Sequence, residues 1–135
     1  MAFVRISHVG VAVSSLAQGS SLWDRLGIPQ THQEDVSQAQ TRVSFHPIGE
    51  SNIELLEGMG DDSAVARFVD KRGPGIHHIC FEVDDIEAEM NRLKGEGFRF
   101  LTEKPTLGAH DTLVAFLHPK DTGGVLIELN KVMAQ

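Results

Sequence analysis

The chain of 135 residues has a single cysteine, Cys80, so neither an intramolecular disulfide nor a cysteine-based zinc site can form. Lysine and arginine together number 12 against 19 aspartates and glutamates, a formal net charge of −7, and no basic block occurs anywhere. Duplex binding needs clustered cations that displace counterions, and is excluded as the main role. No run approaches the roughly 18 apolar residues of a membrane span. The amino-terminal segment Met1–His8 also lacks the apolar core of a signal peptide. The expected compartment is the reducing cytoplasm, with neither a membrane nor a nucleic acid as partner. What remains, 41% hydrophobic and 23% charged residues, is the composition of one globular domain spanning 1–135.

Against that plain background the chain repeats itself. Ile6-Ser7-His8-Val9-Gly10-Val11-Ala12-Val13 resembles Ile76-His77-His78-Ile79-Cys80-Phe81-Glu82-Val83 at an offset of 70. Val43-Ser44-Phe45 echoes Val114-Ala115-Phe116 at 71, and Asn52-Ile53-Glu54-Leu55 echoes Leu126-Ile127-Glu128-Leu129 at 74. Three matches in the same order, with slowly drifting offsets, imply two copies of one unit with small loop insertions.

Local patterns agree with that division. Residues 4–13 and 76–83 alternate as strands do, with His8, Gly10 and Ala12 opposite Val9, Val11 and Val13, and His78, Cys80 and Glu82 opposite Ile79, Phe81 and Val83. Asp84-Asp85-Ile86-Glu87 reads as a helix start, Ile86, Met90 and Leu93 follow at helical spacing, and Gly95 is the expected stop. The first-copy helix is expected from about Ser15 to Leu26, ending at Gly27. Further strands are expected near 41–47 and 51–57, then 98–102, 112–118 and 124–130. A connector helix over about 62–73 carries Val65, Phe68 and Val69 on one face. The fold class is therefore α+β, two tandem β-α-β-β-β units at about 4–58 and 74–131. At about 60 residues each copy is marginal alone, so the two are expected to share one packed structure.

The repeat sets His8 against His78 and Glu54 against Glu128. Each copy then offers an imidazole on its first strand and a carboxylate on its last, on the faces turned away from Ile53, Leu55, Ile127 and Leu129. If the sheet curls so that these four converge in a cup, they form a two-nitrogen, two-oxygen site suited to Mn, Fe, Co, Ni or Zn. A single strand histidine or carboxylate is ordinarily a solvated or hydrogen-bonded residue; the recurrence of both types at matched positions favours the metal. His77 shares the face of Ile79 and Phe81, so alternation prefers His78. His46, His110 and His118 line a pocket or cap turns, and Glu82 and Cys80 share the His78 face, open to lining roles.

At these residues the chain resembles the methylmalonyl-CoA epimerases of the vicinal oxygen chelate superfamily over nearly its whole length. The carrying segments are 6–13, Gly49-Glu50-Ser51-Asn52-Ile53-Glu54, Gly75-Ile76-His77-His78-Ile79, Gly108-Ala109-His110 and, most specific, His118-Pro119-Lys120-Asp121-Thr122-Gly123-Gly124-Val125-Leu126-Ile127-Glu128-Leu129. The resemblance implies a curled mixed sheet around a metal-binding cup, with His8, Glu54, His78 and Glu128 as ligands. It also implies a divalent ion (cobalt first, with manganese, nickel or zinc as alternatives), an acyl-CoA substrate and a homodimer.

Epimerisation removes the proton between a thioester and a carboxylate and returns it on the other face, so it asks for an acid/base on each side. Glu128 is the first candidate. Some family members place the second, a glutamate, near the strand that begins here around residue 41. This chain has Gln38, Gln40, Thr41 and Arg42 there, leaving Glu34 upstream as the candidate and Glu50 as a lesser one. Lys104 and Lys120 are available cations for the nucleotide end of CoA. Three other readings use the same scaffold: a glyoxalase-type isomerase, an extradiol dioxygenase with a facial triad, and a non-catalytic binding protein. The 118–129 segment, the short chain and the intact ligand set argue against each in turn.

Overall fold

The computed structural model describes residues 2–133. The chain forms two compact units, one of residues His8–His77 and a second of the residues before His8 together with those from His78 onward. The strand β1 (Phe3–Ala12) therefore contributes its start to the second unit and its end to the first.

The first unit continues with α1 (Leu16–Leu26), β2 (His32–Val36), β3 (Thr41–Ile48), β4 (Ser51–Gly58) and α2 (Ala64–Arg72). Its hydrogen-bonded strand order is β2-β3-β4-β1, with β1 and β4 parallel and the other pairs antiparallel. Ser15 caps α1 by accepting from the Gln18 amide, and Gly27 ends it at φ +99°, a left-handed conformation that glycine adopts without strain. Ser63 caps α2 in the same way through the Ala66 amide. Gly58 lets α2 approach β4: a Cβ there would stand 2.8 Å from Ala66 and Ser63 atoms. Leu55, Phe45, Val43, Leu16 and Val65 are buried in this unit.

The second unit contains β5 (Gly75–Val83) from His78 on, α3 (Ile86–Gly95), β6 (Thr106–Leu107), β7 (Thr112–Phe116) and β8 (Ile127–Val132), ordered β5-β8-β7-β6. Again the first and last strands are parallel and the others antiparallel. Asp85 caps α3 at the Ala88 amide; Glu87 and Glu89 in its first turn and Arg92 and Lys94 in its last complement the helix dipole. Val83, Ile86, Met90, Leu93, Ala115, Leu117 and Leu129 form the core that α3 covers.

Each unit is thus β-α-β-β-β. Four details depart from the sequence reading. The strand β2 has no signature in the sequence, because His-Gln-Glu-Asp-Val carries no apolar alternation; it is an edge strand with mostly exposed side chains. Residues 98–102 do not form a strand, and only Phe100 makes an isolated bridge, to Leu117. Their alternation has another cause: Phe98 and Phe100 pack on the core while Arg99 between them turns to Asp121. The last strand begins at Ile127 rather than 124, since Gly123 and Gly124 are both left-handed, at φ +70° and +91°. On β1 the alternation breaks between Ser7 and His8, which are both buried.

The Arg99–Asp121 contact clamps the loop before β8. The Asp121 carboxylate accepts from the Arg99 amide at 2.8 Å, from Nε at 3.0 Å and from Nη2 at 2.9 Å. These bonds from Arg99 hold its carboxyl down to a pKa of about 2. A depressed acid contributes stability above its unfolded value near 3.9, and that contribution disappears as the pH falls through the folded value. Asp121→Asn is therefore expected to be less stable than the parent at neutral pH. The difference should close between about pH 4 and pH 2 in urea melts read by circular dichroism.

Candidate active site

The pairing register reproduces the sequence repeat. In the first unit Gly10 of β1 pairs with Glu54 of β4, and Phe45 of β3 pairs with Glu54 from the other side. In the second, Cys80 of β5 pairs with Glu128 of β8, and Phe116 of β7 pairs with Glu128 from the other side. Directly opposed residues share a face, so each glutamate sits on one face between the strand carrying its histidine and the strand carrying a phenylalanine.

On that face each unit holds a buried imidazole–carboxylate pair. His8 Nδ1 lies 3.1 Å from Glu54 Oε2 in the first unit. His78 Nε2 lies 3.0 Å from Glu128 Oε1 in the second. All four residues are no more than 8% exposed. A spacing near 3 Å is that of a hydrogen bond, and also that of neighbouring ligands around an ion with bonds of about 2.1 Å at right angles. The nitrogen and oxygen donors, their burial and their spacing therefore fit a divalent transition ion.

An aromatic floor accompanies each pair. His78 meets the Phe116 ring edge-on at 5.6 Å, and Phe45 is stacked against His32 at 4.5 Å. The repeated Val-x-Phe at offset 71 was visible in the sequence, but as a marker of repetition; its role beside the glutamates needs the register.

Glu34 falls on the face of Glu54. His32 pairs with Phe45, which pairs with Glu54; one row along, Glu34 pairs with Val43, which pairs with Leu56. Glu34 thus stands two strand spacings, roughly 10 Å, to the side of Glu54 and about 7 Å further along, at the edge of the sheet. It is half-buried, whereas Glu50 is exposed in the turn between β3 and β4.

The remaining candidates have structural surroundings. His46 is fully buried, its Nδ1 donating to the Ile28 carbonyl at 2.7 Å and its Nε2 2.8 Å from Ser44 Oγ. His118 caps the turn at 119–121, its Nδ1 accepting from the Lys120 amide. His77 packs edge-on against Phe68, on the other side of β5 from His78. Glu82 is ion-paired with Arg5 at 2.9 Å. His110 occupies a left-handed conformation at φ +56° in the turn before β7. Lys104 and Lys120 are exposed. No helix among the described residues is long and apolar enough to cross a membrane.

Residues 7–116 match the Glyoxalase/Bleomycin resistance protein/Dioxygenase superfamily, and the chain belongs to it. Within that superfamily its relatives include methylmalonyl-CoA epimerases. The chain is 40% identical over 129 residues to the mitochondrial methylmalonyl-CoA epimerase of Mus musculus, covering 94% of this chain and 72% of that protein. It is also 40% identical over 131 residues to the ethylmalonyl-CoA/methylmalonyl-CoA epimerase of Cereibacter sphaeroides, covering 95% and 98%. A variant of the Streptomyces coelicolor methylmalonyl-CoA epimerase, solved with 2-nitronate-propionyl-CoA, superposes with a TM-score of 0.94 at 33% identity over 98% of this chain and 99% of its own. The chain is a member of the methylmalonyl-CoA epimerase family.

Proposed function

We infer that the chain interconverts (2R)- and (2S)-methylmalonyl-CoA by withdrawing the α-proton and returning it to the opposite face. His8, Glu54, His78 and Glu128 are the ligands of one divalent ion in this reading. The observation that carries it is the duplication, at one register position in each unit, of a buried histidine–glutamate pair in a chain of this family. The ion is cobalt in the first instance, with manganese, nickel or zinc as alternatives; the mixed nitrogen and oxygen donors suit all four. When bound, such an ion stabilises negative charge that develops on the thioester oxygen.

The chain's own residues account for the rest. Glu128 takes or returns the proton on one side of the planar intermediate. Glu34 does so on the other. Phe45 and Phe116 present apolar surface beside the carboxylates, which limits water near the reacting carbon. Ethylmalonyl-CoA is a close second substrate, because one methylene in a pocket is worth only ~1–3 kcal/mol. A homodimer in the cytoplasm completes the reading; a chain with Cys80 as its single cysteine has no intramolecular disulfide to keep and suits a reducing compartment.

The decisive experiment follows methylmalonyl-CoA in deuterated buffer by NMR, with chelator-stripped protein and again after cobalt is restored. The expected result is α-deuteration and interconversion of epimers only with the metal. Absence of exchange in both conditions would overturn the epimerase reading and direct attention to glyoxalase-type substrates.

A further inference from the structure

Beneath α1, on the face of the first unit turned away from Glu54, a chain of polar side chains has no part in the reaction above. His46 and Ser44 of β3 are both 0% exposed. The imidazole Nδ1 donates to the Ile28 carbonyl at 2.7 Å, and Nε2 lies 2.8 Å from Ser44 Oγ. Ser44 Oγ is in turn 2.8 Å from Gln30 Oε1, which also meets Ser20 Oγ of α1 at 3.2 Å and Gln33 Nε2 of β2 at 3.0 Å. Asp24 Oδ1 stands 4.0 Å from Nδ1, yet the serine–histidine–aspartate order is no catalytic triad, since no substrate reaches a hydroxyl so buried.

Proton counting gives this chain two arrangements. A carbonyl only accepts, so Nδ1 carries a hydrogen in both and the variable is Nε2. With Nε2 protonated, it donates to Ser44, the Ser44 hydroxyl donates to Gln30 Oε1, and Ser20 and Gln33 donate to the same oxygen. Every group is then matched. With Nε2 bare, the single Ser44 proton goes to the imidazole, and two oxygens 2.8 Å apart face each other with no proton between them. In a buried place that is an unmade hydrogen bond. It is relieved when the Gln30 amide turns over to present its nitrogen to Ser44, which sets nitrogen against nitrogen at Gln33.

The charges on this face are few. Asp24, beside Nδ1, also accepts from the Gln30 amide at 2.9 Å. Strand register puts Arg42 and Asp35, ion-paired at 2.9 Å, and Glu57 of β4 further along the face, while β1 contributes Val9 and Val11. Arg25 of α1 turns back to the Ser21 carbonyl. The Gln33 contact matters because β2 is an edge strand of five residues, none of them buried, which gives it little packing of its own.

We propose that His46, Ser44 and Gln30 form a proton-operated latch on β2, with Gln30 as its positioning residue. Closed, Nε2 is protonated and the Gln30 oxygen gathers Ser20, Ser44 and Gln33; open, Nε2 is bare, the Gln30 amide has turned and Gln33 is let go. Because β2 carries Glu34, a bearing of the latch on proton transfer rests on the epimerase reading; the latch itself does not.

The test uses the ¹⁵N-labelled full chain without substrate, between about pH 5 and pH 8, where imidazoles titrate. Long-range ¹H–¹⁵N spectra report whether His46 Nε2 is protonated. Hydrogen exchange reports the protection of the β2 amides and of Thr31, whose amide donates to the Phe45 carbonyl. Protection, corrected for the intrinsic pH dependence of exchange, is expected to fall about fivefold as Nε2 loses its proton, the worth of one ordinary hydrogen bond. In Gln30→Glu, whose carboxylate only accepts, the open arrangement is lost, so the Nε2 proton and the higher protection are both expected to persist across the range. Constant protection in the parent while His46 titrates, or an imidazole whose protonation does not change across the range, would overturn the latch. So would a Gln30→Glu response equal to the parent's. None of these readings involves substrate, so their failure leaves the epimerase reading intact, and failure of the deuterium experiment leaves the latch intact.

Discussion

Glu128→Gln is expected to slow interconversion of the two methylmalonyl-CoA epimers by about 10²–10⁴-fold, the usual worth of a positioned acid/base. The substitution keeps the size of the side chain and one oxygen acceptor but removes the basic oxygen pair. Glu128 is buried between Cys80 and Phe116 in the strand register, with His78 Nε2 3.0 Å from its carboxylate. Little else can move into its place: its neighbour Leu129 is fully buried in the core and fixes β8 against β5 and β7. The rate would be read from NMR time courses starting at each epimer, at saturating cobalt so that weakened metal binding is not mistaken for lost chemistry. A variant within a few-fold of the parent would remove Glu128 from the reaction. Thermal unfolding is the control, and it should change little, because the replacement keeps volume and a partner for His78.

Glu34→Gln is expected to lose interconversion to a similar extent, but with a different pattern of proton exchange. With one of two bases disabled, the remaining carboxylate still withdraws and returns the α-proton of the epimer it faces. Solvent deuterium should therefore enter one epimer at close to the parent rate while the other becomes nearly inert. Glu34 is a good subject for this test because it lies on the edge strand β2, half-buried and opposite Val43, and glutamine keeps the size of its side chain. Equal slowing of exchange from both epimers, or no slowing from either, would exclude Glu34 as the second base. Together the two variants distinguish a two-base route from a one-base route, which the loss of overall activity alone does not do.

Much of this molecule is legible in its sequence. The offsets of 70, 71 and 74 located both units, because a duplicated supersecondary unit repeats its buried and polar positions in order. Ser15, Gly27 and Asp85 mark helix ends for local reasons, a side-chain oxygen over a free amide or a left-handed turn, and the helices end where those residues stand. Period-two alternation separated His78 from His77, and the structure sets the two on opposite sides of β5.

Other features were out of reach because they depend on which strand lies beside which. β2 has no apolar pattern of its own and is a strand only by pairing with β3. The alternation at 98–102 looked like a strand, but it records two phenylalanines packing on the core around an Arg99 held by Asp121. The direct opposition of Cys80 and Glu128, and of Phe45 and Glu54, joins residues 48 and 9 positions apart through ladder hydrogen bonds. By itself the sequence determined the repeat, the helix ends and the four matched histidines and glutamates, since each follows from local spacing. Only the tertiary structure decided that Glu34 shares the Glu54 face and that a thiol stands beside Glu128, because strand register is set by the packing of distant segments.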